Sequence, residues 1–63
     1  MEIKQVNTKS LIDEFGGAVP VAKFFDVDRQ AIYQWRERIP PIRAYELRER
    51  RPDIYDRLTH KIQ

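Results

Sequence analysis

Between positions 18 and 37 the spacing of apolar residues leaves the backbone few options. Val21, Phe25, Val27, Ile32 and Trp35 recur at intervals that place them on the facing sides of two short helices. Ala22 falls where those helices would cross, and only a small side chain fits there. The turn between them wants a residue able to adopt a positive φ. Glycine is the usual choice; Asp26 stands there instead, and aspartate tolerates that region at a small cost. The pattern predicts a helix-turn-helix over 18–37.

The chain around it has 63 residues and no cysteine. A chain this size buries only about 60% of its unfolded surface, so the expectation is one domain with a compact core and little stability to spare. No disulfide or thiolate–metal site can reinforce that core, which suits a reducing compartment. The longest apolar run is far short of a membrane span, and Met1-Glu2-Ile3-Lys4 lacks a signal-peptide pattern, so a cytoplasmic location without membrane contact is expected.

Residues 1–7 read as a lead-in too weakly alternating to be a strand. Asn7 or Thr8 can cap a first helix to about Phe15, with Leu11, Ile12 and Phe15 on one face and Gly16-Gly17 to stop it. The second helix is expected from about Val19 to Phe25, with Pro20 harmless in a first turn whose amides have no intrahelical partner. Asp28 is placed to cap a third helix, 29–37, its carboxylate accepting from free amides. Ile39-Pro40-Pro41 ends it, because a residue before proline avoids the α region. A fourth helix over 41–50 and a fifth from Pro52-Asp53 to about Lys61 complete the chain. In the fifth, Ile54, Leu58 and Ile62 recur every fourth residue beside Tyr55, a stripe that suits either core packing or a dimer interface.

At about 100° per residue, the third helix divides into two arcs. Ala31, Ile32, Trp35 and Asp28 fall together; Arg29, Gln30, Tyr33, Gln34, Arg36 and Glu37 fall opposite. The apolar arc docks the helix, with Trp35 as anchor. The polar arc lacks the Glu-to-Lys pairs at four-residue spacing that support an ordinary solvated face. Arginine can bond guanine in a bidentate manner, glutamine can do the same to adenine, and tyrosine can reach a phosphate or a thymine methyl.

Net charge is only +2, but it is unevenly spread. Residues 1–27 carry three lysines against four acids; residues 28–63 carry eight arginines and one lysine against six acids. Every arginine lies at or after position 29. These cations are either a nucleic-acid footprint or solvated charges interleaved with Glu and Asp.

Ala22-Lys23, the string Val27-Asp28-Arg29-Gln30-Ala31-Ile32-Tyr33-Gln34-Trp35-Arg36, and the following Ile39-Pro40 resemble the Cro proteins of lambdoid bacteriophages over about residues 11–45. The resemblance implies a small transcriptional repressor of the bacterial cytoplasm that binds double-stranded operator DNA as a weak homodimer, one recognition helix per half-site. By position it implies that Arg29, Gln30 and Gln34 read base edges, and that Tyr33 meets a base methyl or the backbone. Lys23, Arg36 and Arg38 would hold phosphates, and Ala18 could do so only through its backbone N–H. Arg36 and Arg38 could instead pair with Glu37 or the fourth-helix acids, and Lys23 could simply be solvated. Arg43, Arg48, Arg50, Arg51 and Arg57 read as surface residues, and His60 has no partner for metal or base chemistry.

Some Cro relatives form their dimer through a C-terminal β-hairpin. Here such a hairpin would pair 45–48 with 54–59, but Asp56 separates Ile54 from Leu58 on what should be one face. Few of these residues are β-branched. The expectation is therefore all-α, about five short helices, with α+β and a C-terminal hairpin as the alternative. Residues 41–63 would serve packing and dimerisation, with Tyr45, Leu47, Ile54, Tyr55 and Leu58 as interface candidates. An enzyme is not expected: there is one histidine, no Gly-rich phosphate loop, no carboxylate pair in an apolar setting, and so no cofactor or small-molecule substrate. A protein–protein module would need Trp35 exposed. An antitoxin-like or housekeeping regulator of the same fold is the alternative within DNA binding.

Overall fold

A computed structural model of the chain describes residues 3–60. Among these it has five helices and no sheet: α1 Thr8–Phe15, α2 Ala18–Phe25, α3 Arg29–Gln34, α4 Pro41–Arg50 and α5 Pro52–Thr59. The all-α expectation holds and the C-terminal hairpin does not occur.

The helix ends follow local chemistry. The Asn7 side chain accepts from the Ser10 N–H at 2.9 Å and caps α1. Gly16, at φ 85°, closes α1 by donating its N–H to the carbonyls of Ile12 and Asp13. The second helix opens one residue earlier than expected, at Ala18. Asp26 adopts φ 60° and closes α2, with the Val27 N–H donating to the Ala22 carbonyl at 2.9 Å. Pro52 opens α5 directly after α4 because Arg51, at φ −136° and ψ 73°, breaks the helical path between them. The fifth helix ends at Thr59 rather than Lys61; Lys61 and Ile62 lie outside the described residues.

The third helix is shorter than the expected 29–37. It ends at Gln34, and Arg36 turns into the left-handed region at φ 64°. The cause is tertiary. The Ile39 N–H donates to the Val6 carbonyl at 3.0 Å, and the Thr8 N–H donates to the Glu37 carbonyl at 2.9 Å. An antiparallel bridge between Asn7 and Arg38 results. Continuing α3 would forfeit these bonds and expose Val6 and Ile39, both buried here.

The core is built from Val6, Leu11, Val21, Phe25, Ile32, Ile39, Leu47, Ile54 and Tyr55, together with the small Ala22 and Ala44. Leu47, Ile54 and Tyr55 are 0%, 6% and 5% exposed, so these three candidates for a dimer interface are spent within the protomer. The fifth-helix stripe is core packing up to Leu58, which is half-buried against it. Tyr45 alone of the five is exposed. No helix among the described residues is long and apolar enough to cross a membrane.

Aromatic rings link the N-terminal helices. Phe15 meets Phe24, Phe24 meets Phe25, and Phe25 meets Trp35, each edge-on with centroids 5.2, 4.8 and 5.6 Å apart. This chain carries the position of α3 back to α1.

Candidate nucleic-acid interface

The third helix is held from one side only. Ile32 is buried, Ala31 is half-buried, and Trp35 packs against Phe25 just beyond the last helical residue. The opposite side presents Arg29, Gln30, Tyr33 and Gln34, all exposed, with Tyr33 at 64%. Among the described residues these four side chains make no hydrogen bond or ion pair with the rest of the protein. Their donors and acceptors are available to a ligand at no cost of a broken internal contact.

Asp28 departs from its expected role. Its backbone has the extended form of an N-cap, φ −76° and ψ 156°, and its carbonyl accepts from the Ala31 N–H at 3.0 Å. Its carboxylate makes no capping bond and is exposed, not on the buried arc where the wheel set it. Together with Asp26, Val27, Gln30, Ala31 and Gln34 it lines a shallow depression at the start of α3.

The cations sort into two groups. On α4 and α5 they are engaged: Arg43 bonds Glu46 at 2.9 Å, and Arg50 bonds Glu46 at 3.1 Å. Arg50 also donates to the Phe24 carbonyl at 2.5 Å and lies 4.0 Å from the centre of that ring. The Arg48 guanidinium lies over Tyr45 and Tyr55, and Arg57 pairs with Glu14. Arg51 grips Asp53 through two bonds, which hold the Asp53 carboxyl below its ordinary range and raise the guanidinium.

Around α3 the pattern reverses. Lys23, Arg29 and Arg36 are exposed, and none has an ion-pair partner among the described residues. Arg38 is exposed and among the described residues bonds only the Gln5 amide oxygen, at 3.1 Å. Neither Arg36 nor Arg38 pairs with Glu37 or with the acids of α4. Because exposed ion pairs are worth under about 1 kcal/mol, neither arrangement follows from stability alone.

Ala18 is the first residue of α2, and Gly17 before it offers no side-chain cap. The first-turn amides of α2, which like those of any helix have no intrahelical acceptor, therefore receive no side-chain cap from Gly17 either. Sequence reasoning missed Val6, Phe24 and the Arg50 contact with Phe24. Val6 and Ile39 could have been found as the apolar residues left over once the helices were assigned; the Arg50 contact leaves no local trace. Among the described residues no cluster of His, Cys, Asp and Glu is arranged to hold a metal ion.

The family model of the DNA-binding transcriptional regulator Cro matches the chain over residues 7–51, from the cap of α1 through the end of α4. No curated protein and no solved structure matches it. The chain belongs to the Cro family of DNA-binding transcriptional regulators.

Proposed function

We propose that this Cro-family regulator is a repressor that binds double-stranded operator DNA as a homodimer, with α3 in the major groove. One observation carries the reading. Arg29, Gln30, Tyr33 and Gln34 form a continuous exposed face without internal partners among the described residues, on a helix fixed from behind by Ile32 and Trp35. The arginine and the two glutamines match donors and acceptors of base edges, and Tyr33 is placed to meet a base methyl or the backbone. Lys23, Arg36, Arg38 and the Ala18 N–H hold the flanking phosphates and set the register. A bacterial cytoplasm is where such a regulator acts. An antitoxin-like regulator would use the same surface, and genomic context separates the two.

Dimerisation is supported by the family rather than by buried area. Of the five expected contacts, Tyr45 and the partly buried Leu58 remain accessible to a second copy. By analogy with Cro-type dimers, two recognition helices would sit about 34 Å apart, one turn of DNA.

Selection of bound sites from a random duplex pool, followed by a salt titration on the selected sequence, tests this. A two-fold motif whose affinity falls steeply with salt is the expected result. Enrichment of no sequence, or binding that ignores ionic strength, would overturn the reading.

A further inference from the structure

The geometry points to Asp28 as a specificity-determining residue, its carboxylate accepting a hydrogen bond from the exocyclic amine of a cytosine in the major groove. The inference rests on the DNA-binding reading of α3. Three observations carry it. The carboxylate is exposed and makes no bond to the amides it was positioned to cap. It lines the same depression as Gln30 and Gln34, two of the proposed base readers. It also stands next in sequence to Arg29, yet forms no ion pair with it or with any other cation among the described residues.

A free carboxylate on such a surface is repelled by every phosphate, so it weakens binding to DNA in general. The repulsion is offset only where a base offers a donor. An ionised carboxylate is acceptor-only, and the donors on the major-groove edge are the amines of cytosine and adenine. The adenine amine lies between two acceptors, its own N7 and the O4 of thymine. The cytosine amine has an acceptor, the O6 of guanine, on one side only. A carboxylate is therefore better matched to cytosine. Asp28 then rejects wrong sequences more than it strengthens the right one.

Site selection with the wild-type chain, Asp28→Ala and Asp28→Asn tests the inference. In the wild type one position of the motif should require cytosine. Asp28→Ala should lose on the order of tenfold discrimination at that position while leaving the others intact. Asp28→Asn should shift the same position toward adenine, which an amide can bond in a bidentate manner. Both variants should bind random DNA more tightly than the wild type. A wild-type preference for adenine at the position lost in Asp28→Ala would overturn the choice of cytosine. An unchanged motif in both variants would overturn the inference while leaving the DNA-binding reading in place; failure of the wild type to select any motif removes both. Thermal melting of each variant separates this role from capping, since a cap would lower the melting temperature without altering the motif.

Discussion

The Trp35 ring meets the Phe25 ring edge-on, with centroids 5.6 Å apart and planes at 83°. Phe25 belongs to α2 and is 3% exposed, so Trp35 ties the end of α3 to a side chain packed in the core. The angle between the two helices of the motif is set by this contact together with Ile32.

Removing the ring should therefore cost both stability and binding. Trp35→Ala is expected to destabilise the domain by about 2–3 kcal/mol, below the figure for a fully buried aromatic because Trp35 is half-buried. DNA affinity should fall for all sequences, and Trp35→Phe should recover much of both. Denaturant unfolding and a binding titration on the same samples check it. Normal affinity in a destabilised Trp35→Ala would show that the ring does not set the position of α3.

Gln30 is exposed and has no partner among the described residues, so its substitution should not touch the fold. Gln30→Ala is expected to cost about 1–3 kcal/mol of affinity for the selected site and to relax preference at one base pair. Parallel site selections would reveal this, and an unaltered motif would remove Gln30 from the reading set.

Arg36 combines an exposed cation with a left-handed backbone, φ 64°. Arg36→Ala should weaken binding to every sequence alike and flatten the salt slope by about one. Arg36→Gly should do the same to binding while stabilising the fold by roughly 1 kcal/mol, because glycine carries no Cβ penalty there. A glycine variant that melts no higher than the alanine variant would show that the strain is absent in solution.

The Arg51–Asp53 pair has a pH signature. The hydrogen bond from Arg51 lowers the Asp53 carboxyl from 3.8. A lowered folded value means the stabilisation is present above the unfolded pKa and is lost as pH falls through the folded one. The affected window is the acid region below 3.8, and the effect is small because the pair is solvent-exposed. NMR titration should find Asp53 protonating at lower pH than an unpaired aspartate side chain in a short peptide, and Arg51→Ala should return it to the ordinary range. An ordinary midpoint in the wild type would mean that the pair does not persist in solution.

Much of this is legible in the sequence alone. The five helices, the left-handed Asp26, and the outward set Arg29, Gln30, Tyr33 and Gln34 all depend on residues within a turn or two of each other. Periodicity, caps and breakers act over that range, and so does the polar composition of one helix face. The family resemblance drew on the same local string, and the family match over 7–51 includes it.

Only the tertiary structure decided where α3 stops, because hydrogen bonds between Val6–Thr8 and Glu37–Ile39 compete with the helix and win. It also decided which arginines are engaged: Arg57 meets Glu14 at a separation of 43 residues, and Arg50 meets Phe24 at 26. No pattern along the chain marks such partners, since they depend on how the helices cross. The same holds for Leu47, Ile54 and Tyr55, whose stripe suits a dimer or a core equally well until a neighbouring helix closes over it. Local chemistry determined the exposed polar face of α3; long-range packing determined which side chains around it were left without internal partners among the described residues.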